Sequence, residues 1–258
     1  MTIYKTEITS DDIPSDNPIH QRLLKPYVVI SEWVNGELLE LGCGEGRGVQ
    51  LLAPKVDSYL AFDKIKIVVE KLQRSFPEVT FQQMIFPPLT GLKDNSFDNI
   101  VSFQVIEHIK NDELFLKEIY RVLKPGGKAY ITTPNKLMSL TRNPWHIREY
   151  DDKELQKLAG QVFDYIEIKG IAGNQKVMQY YDKNKKSVDK ILKYDILNLQ
   201  YKLPSFLLKI PYEILNRLNR YNLKSANDEL VLSISQKDYI LNDTPEESLD
   251  LFAILVKK

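Results

Sequence analysis

A run of alternating glycines is the part of this sequence best suited to hold a ligand. It follows the strand-like residues 38–41, LLEL, and consists of Gly42, Gly44, Gly46 and Gly48. Glycine lets a ligand come close to the backbone because it tolerates positive φ, and the amides that open the next helix point toward the same space. The pattern therefore predicts a buried parallel strand that ends in a ligand-binding loop.

The spacing of the glycines argues against a dinucleotide. A G-x-G-x-x-G fingerprint needs its third glycine where this sequence has Arg47 or Val49. Glu40 stands just before the first glycine, where a carboxylate repels a pyrophosphate and attracts a cationic ammonium or sulfonium group. A nicotinamide-dependent oxidoreductase or epimerase is therefore disfavoured, and a cationic ligand is favoured.

Further polar residues stand where other predicted strands end. Asp63 closes the strand SYLAFD about twenty residues beyond the glycines, where one carboxylate can accept two hydrogen bonds from a ribose diol. Gln104, Glu107 and His108 follow the apolar strand that begins at Phe97. Because ligands of open parallel sheets bind outside the carboxyl ends of the strands, these side chains are expected near one site.

The loop at residues 135–150 carries the strongest candidate for acid–base chemistry. Asp151 and Glu154 form a capping box for the next helix, which places the preceding loop at the carboxyl edge of the sheet. His146 in this loop is the candidate general base for a hydroxyl acceptor. The alternative is that His146 and Arg148 only tie down the loop. His108 is the weaker candidate base, because its position suits a structural role.

These motifs, in this order, resemble those of class I S-adenosylmethionine-dependent methyltransferases with a UbiE/UbiG-like domain. The resemblance covers roughly residues 20–172 and includes the E-x-G-x-G-x-G loop, the segment FDNIVSFQVIEHI and the KPGG turn before the strand KAYITTP. It implies S-adenosylmethionine as cofactor, S-adenosylhomocysteine as product and methyl transfer as the reaction. The cofactor contacts that it implies are Arg22, Glu40, Gly42, Cys43, Gly44, Gly46, Asp63, Lys64, Ile85 and Gln104.

One implied contact departs from the family pattern. Many members have an acid where Ile85 stands, and that acid accepts a hydrogen bond from the adenine amino group. Ile85 cannot accept this bond, so it is expected to contact the face of the adenine instead. In the family the leading helix lies over the cofactor, which also makes Tyr27 a candidate for closing the pocket; the alternative is that Tyr27 is a core residue.

The predicted fold is an α/β, Rossmann-like, seven-stranded and mostly parallel sheet. Its last strand is antiparallel, helices cover both faces, and a helical insertion separates strands six and seven. The leading helix is predicted over residues 16–35. We divide the single methyltransferase domain, 1–258, into an N-terminal cap helix at 1–36, a cofactor-binding core at 37–173, a basic helical insertion at 174–245 and a closing strand at 246–258.

The insertion concentrates positive charge and an apolar helical pattern. Between residues 175 and 224, eleven Lys or Arg stand against four Asp or Glu. Over residues 202–223 apolar residues recur at helical spacing with basic residues between them. One interpretation of residues 187–224 is a peripheral membrane contact in which Lys209, Arg217 and Arg220 bind anionic lipid. The favoured interpretation is an ordinary helix that covers the acceptor site or makes a dimer contact.

Composition limits the remaining function classes. Lys plus Arg and Asp plus Glu are both 35, so no net positive charge attracts nucleic acid. The single cysteine, Cys43, and three histidines predict neither an intramolecular disulfide nor a metal site. Residues 1–16 show no signal-peptide pattern, and no apolar run reaches about eighteen residues. The expected location is the cytoplasm, with peripheral contact at the inner face of the membrane.

The predicted function is methyl transfer to a small-molecule, sugar or lipid-linked acceptor, with oxygen as the predicted methylated atom. The tail at residues 234–258 and the HIREY segment show a looser resemblance to bacterial methyltransferases of surface-polysaccharide and glycolipid assembly. Because no residue is an unambiguous base, a cofactor-binding but inactive regulatory or assembly protein is the main alternative.

Overall fold

The structure is a computed structural model, which describes residues 13–195 and 197–258. The segment inspected for a signal-peptide pattern lies largely outside the described residues. No helix within the described ranges is both long and apolar enough to cross a membrane.

Eight strands form one sheet in the order β3-β2-β1-β4-β5-β8-β6-β7. Six of them run parallel, β8 runs antiparallel between β5 and β6, and β7 pairs antiparallel with β6 at the edge. The strands are β1 Glu37–Leu41, β2 Ser58–Asp63, β3 Thr80–Gln83, β4 Phe97–Phe103, β5 Leu123–Pro134, β6 Tyr165–Gly173, β7 Tyr239–Asn242 and β8 Asp250–Val256.

The predicted fold class is confirmed, and the predicted number of strands was wrong. The extra strand, β7, lies within the segment that was predicted as a helical insertion. It is only four residues long and pairs on one side only, with residues 170–173. Such a short edge strand has too few residues to show an alternating pattern, so no period-2 signal predicts it.

Nine α-helices lie within the described residues. They are α1 Asn17–Ile30, α2 Val49–Leu52, α3 Lys66–Ser75, α4 Asp112–Val122, α5 Asp152–Ala159, α6 Gln175–Leu192, α7 Leu199–Lys202, α8 Ser205–Ala226 and α9 Asp228–Ser233. Helix α1 ends at Ile30, five residues earlier than predicted, and a turn leads to Gly36, whose φ is +63°. The capping box of Asp151 and Glu154 at the start of α5 is present as predicted.

Helices cover both faces of the sheet because successive residues of each strand point to opposite sides. In β1, Leu38 belongs to one core, while Leu39 and Leu41 belong to the other. The core that contains Leu38 includes side chains of α1, α2, α3, α6, α8 and α9, and the other core includes side chains of α4 and α5. Both cores fix the carboxyl ends of the parallel strands at one edge.

Candidate active site

The glycine loop leaves open space at the carboxyl end of β1. Gly42, Gly44 and Gly46 have φ values of +84°, +50° and +77°, which side chains rarely adopt. The amides of Gly42 and Cys43 donate to the Phe62 carbonyl at 2.8 and 3.0 Å, which fixes the loop against β2. A Cβ atom added at Gly44 would meet no atom within 4 Å, so a ligand can approach the backbone there. Cys43 itself is buried.

Asp63 lies beside this loop at the end of β2. One carboxylate oxygen accepts from the Gly44 amide at 2.9 Å, and the other accepts from the Ile65 amide at 2.9 Å. Each oxygen retains a second lone pair for a ligand hydroxyl. Asp63 therefore shapes the glycine loop and can also accept hydrogen bonds from a ligand above it.

Glu40 occupies a different environment from the one that the sequence suggested. It is buried, and its two oxygens accept from the hydroxyls of Tyr27 at 2.6 Å and Tyr59 at 2.5 Å. Burial raises the pKa of Glu40, and the two tyrosine hydrogen bonds oppose that rise. Both carboxylate oxygens of Glu40 are thus engaged by tyrosine hydroxyls, and its predicted contact with the cofactor stays a prediction. Tyr27 is a core residue, as the alternative interpretation had it.

The predicted residues Ile85 and Lys64 lie at the same edge of the sheet. Ile85 follows β3 and is 81% exposed, so its side chain is available to a ligand. Lys64 follows Asp63 directly and is exposed. The positions therefore permit the implied cofactor contacts of both residues, which stay predictions.

A partly buried ion pair joins Arg22 of α1 to the first residue of β8. The Arg22 Nε lies 3.2 Å from an oxygen of Asp250, which is 2% exposed. Burial raises the pKa of Asp250, while Arg22 and a hydrogen bond from Gln104 lower it. Gln104 has a φ of +58°, an unusual conformation at the end of β4 that is frequent at functional sites. Asp250 escaped the sequence analysis, although an antiparallel closing strand must begin where the parallel strands end.

His146 is held in one tautomer by its neighbours. Its Nδ1 lies 2.6 Å from Glu149 Oε1 and its Nε2 lies 2.7 Å from Asn143 Nδ2. The Asn143 oxygen accepts from the Trp145 amide at 3.1 Å, so the Asn143 amide group must donate to Nε2. This network assigns the proton to Nδ1, where Glu149 accepts it, and leaves Nε2 as the basic atom.

His108 and Glu107 tie the end of β4 to the same loop. His108 Nδ1 lies 3.0 Å from the Trp145 carbonyl, and the His108 ring meets the His146 ring edge-on at 5.0 Å between centroids. Glu107 is buried, accepts from the Thr133 hydroxyl at 3.0 Å, and its carbonyl accepts from the Ile147 amide at 2.7 Å. The weaker candidate base, His108, thus anchors the loop in this arrangement.

The sequence analysis predicted no metal site, but three of these side chains come close enough to share a cation. Metal-ligating atoms of Glu107, His108 and His146 all lie within 4.8 Å of one another. Two imidazoles and a carboxylate suit several divalent transition metals. The arrangement can therefore provide either a histidine base or a cation near the acceptor.

Arg148 has the loop-fixing role that was the alternative for this segment. It donates to Asp112 at 2.6 Å, and Tyr150 donates to the same carboxylate oxygen at 2.7 Å. Asp112 is the first residue of α4, so these two hydrogen bonds fix the loop to that helix. The side chain of His146 takes no part in these contacts, and its ring nitrogens contact Glu149 and Asn143.

We expect Glu107 to make stability depend on pH. Burial raises the pKa of Glu107 to about 7, against lowering by His146 and by hydrogen bonds. The folded state therefore binds this proton more tightly than the unfolded chain does. The resulting stabilisation is complete below the unfolded-state pKa near 4.5 and is lost as the pH rises through about 7.

Urea unfolding of wild type and Glu107→Gln measures this contribution. Between pH 4.5 and 8 the free energy of unfolding of the wild type should fall by roughly 3 kcal/mol relative to the variant, because each pKa unit is worth about 1.4 kcal/mol. Glu113→Gln, at an exposed position of α4, is the control and should follow the wild type. Parallel profiles for wild type and Glu107→Gln would contradict the assignment.

Comparison with known proteins decides the family. Residues 39–131 match the family model described as a methyltransferase domain. This part of the chain is a class I methyltransferase domain. The predicted family and the predicted cofactor, S-adenosylmethionine, are thereby confirmed. The open space above Gly44 and the available lone pairs of Asp63 fit this cofactor.

The alignments with curated relatives cover only part of this chain and part of each relative. A protein of Mycolicibacterium smegmatis described as a probable S-adenosylmethionine-dependent methyltransferase is 35% identical over 127 residues, which are 47% of this chain and 49% of that protein. The mitochondrial ubiquinone biosynthesis O-methyltransferase of Rattus norvegicus is 33% identical over 107 residues, which are 39% of this chain and 31% of that protein. The chain thus spans about half or less of the length of these curated relatives.

Solved structures support the fold over a longer stretch. A S-adenosylmethionine-dependent methyltransferase of Thermotoga maritima aligns with a TM-score of 0.57 and 16% identity, and the alignment covers 93% of this chain and 92% of that one. At this identity the likeness concerns the fold alone. The methyltransferase fold therefore extends beyond the residues that the family model matches.

Proposed function

We propose that this protein transfers a methyl group from S-adenosylmethionine to a hydroxyl oxygen of a small-molecule, carbohydrate or lipid-linked acceptor. The observation that carries the proposal is the Glu149–His146 pair, which leaves an unprotonated Nε2 at the carboxyl edge of the sheet. An oxygen acceptor has a proton to lose, and such a pair is suited to take it. The similarity to a ubiquinone biosynthesis O-methyltransferase supports oxygen as the methylated atom.

The cofactor side of the site uses the glycine loop and its neighbours. When bound, S-adenosylmethionine supplies an electrophilic methyl group on a sulfonium. In our proposal Asp63 accepts from the ribose hydroxyls, the backbone at Gly42 and Gly44 lies against the ligand, and Ile85 covers the adenine. Arg22 remains paired with Asp250 and acts on the methionine carboxylate from that position. The roles of the glycines and Asp63 follow from their positions at the carboxyl ends of β1 and β2, and the role of Ile85 follows from its position just after β3.

The acceptor side is formed by the loop at residues 135–150. S-adenosylmethionine, when bound, would supply the methyl group and leave as S-adenosylhomocysteine, and His146 Nε2 would take the proton of the acceptor hydroxyl as its oxygen is methylated. Glu149 stabilises the imidazolium that forms. In this proposal the acceptor hydroxyl takes the place of the Asn143 amide, which donates to Nε2. Glu149 thereby acts through His146 and is a positioning residue.

The test uses S-adenosylmethionine with a labelled methyl group and a panel of phenolic, carbohydrate and glycolipid acceptors. We expect label in an O-methyl group, identified by its carbon chemical shift, and turnover that a chelator does not reduce. Label on nitrogen or carbon would overturn oxygen as the methylated atom. Loss of turnover with a chelator and recovery with a divalent metal would show that His146 is a metal ligand and not the base. Cofactor binding without any labelled product would favour the inactive regulatory alternative.

A further inference from the structure

Helix α8 has its charges on the inside and its apolar residues on the outside. Each of its charged residues, Lys209, Glu213, Arg217, Arg220 and Lys224, is partly or fully buried. None of its exposed positions carries a charge. We call the following exposed positions the α8 face: Phe206, Leu207, Ile210, Pro211, Ile214, Leu215, Leu218, Tyr221, Asn222, Ser225 and Ala226.

The cations of α8 have partners within the protein. The Lys209 ammonium lies 3.6 Å from the centroid of the Trp145 ring. Arg217 and Arg220 lie 3.1 and 3.2 Å from the carboxylate of Asp16, which is fully buried at the start of α1. These contacts correct our interpretation from the sequence, in which these three cations bound lipid. The basic residues fasten α8 to the domain, and the apolar residues between them face outward.

The α8 face is large and strongly apolar for a protein surface. Phe206 and Ile210 are 70% and 69% exposed, and no residue in the described ranges covers the face. Exposed aromatic and aliphatic residues continue into the segment before α8, with Tyr194, Leu197, Leu199 and Tyr201. Contiguous apolar surface of this kind marks an interaction site.

Exposed lysines accompany the apolar residues and indicate the kind of partner. Among described residues from 182 to 226, the exposed charges are Lys185, Lys186, Lys190, Lys193 and Lys202 against Asp182 and Asp189. This surplus of positive charge is complementary to an anionic lipid surface. Two copies of the same surface would instead bring their lysines together, since a two-fold interface pairs the same patch with itself.

The α8 face is firmly connected to the loop that carries His146. The Arg142 guanidinium donates to the Gln200 carbonyl at 2.8 Å and to the Ser205 hydroxyl at 2.8 Å. Lys209 reaches Trp145, the residue before His146. A surface that binds at α8 is therefore held at a fixed position relative to the candidate acceptor site.

We propose that the α8 face inserts into the headgroup region of an anionic membrane and brings the loop at residues 135–150 to a lipid-linked acceptor. Amphipathic helices bind such interfaces through buried apolar area together with attraction between lysines and anionic lipids. The membrane contact rests on the α8 face and the exposed lysines that precede it in the chain. Only the nature of the acceptor rests on the proposed function.

Vesicle sedimentation without cofactor or acceptor tests the contact. Wild-type protein should sediment with vesicles of phosphatidylcholine and phosphatidylglycerol at low salt, and less with phosphatidylcholine alone. The combined variant Phe206→Ser, Ile210→Ser, Leu218→Ser should lose roughly tenfold or more in affinity at both low and moderate salt. Lys193→Glu with Lys202→Glu should lose about as much at low salt, with the difference shrinking at moderate salt.

A matched control distinguishes binding through the α8 face from nonspecific hydrophobic binding. Ile67→Ser with Ile240→Ser removes exposed apolar residues on α3 and β7 and should leave vesicle binding unchanged. Absence of wild-type binding at low salt, or binding that survives the α8 substitutions, would overturn the proposal. A dimer in light scattering that the α8 substitutions dissociate, without vesicle binding, would assign the face to a second copy. Because this assay needs no turnover, failure of the proposed function leaves its result intact.

Discussion

Replacing His146 with alanine should lower kcat by roughly two to four orders of magnitude, which is the usual contribution of a general base. The Kd for S-adenosylmethionine should change little, because His146 lies in the acceptor loop and contacts Asn143 and Glu149. Steady-state kinetics with a labelled cofactor, together with calorimetry, separate the two effects. A kcat close to that of the wild type would exclude His146 as the base.

Glu149→Gln provides the matched control for this prediction. Glutamine keeps an oxygen that accepts from His146 Nδ1 but removes the charge that stabilises the imidazolium. We expect a smaller loss of kcat than in His146→Ala and a shift of the pH profile of kcat toward lower pH, because the imidazolium loses the charge that stabilises it. A loss of the same size without a shift in the pH profile would indicate that Glu149 only maintains the shape of the loop.

Asp63→Ala should weaken S-adenosylmethionine binding by roughly a hundredfold or more, because hydrogen bonds to a charged group contribute about 1.5–3 kcal/mol each and two are lost. Ile85→Ala should cost only a few-fold, since it removes exposed packing from the adenine face. Asp63→Asn keeps one acceptor oxygen and should lie between them. Thermal unfolding must accompany these measurements, because Asp63 also accepts from the Gly44 amide. Equal losses for Asp63→Ala and Ile85→Ala would place the ribose elsewhere.

The sequence predicts the central elements of the fold well where local pattern and burial agree. Strand β2 was predicted with its observed bounds, because an apolar run leads directly to Asp63. The positive φ values at Gly42 and Gly44 also follow from residue type and spacing. Strand β7 was missed because four residues that pair on one side only carry no clear alternation.

The site residues were harder to predict where their hydrogen-bond partners lie on elements that are distant in the sequence. The burial of Glu40 depends on Tyr27 and Tyr59, which meet it only after α1 and β2 have folded against β1. The helical spacing of apolar residues also did not predict the orientation of α8. Helical spacing shows which residues share a face but not which face is buried, and a buried acid such as Asp16 can draw the basic face inward.

Calorimetric titration of the wild-type protein with S-adenosylmethionine, S-adenosylhomocysteine and NAD tests the central claim most directly. The glycine spacing, the open backbone at Gly44 and the carboxylate of Asp63 carry that claim. We predict that S-adenosylmethionine and S-adenosylhomocysteine each bind at one site per chain and that NAD does not bind. Binding of NAD without binding of either S-adenosyl compound would contradict it.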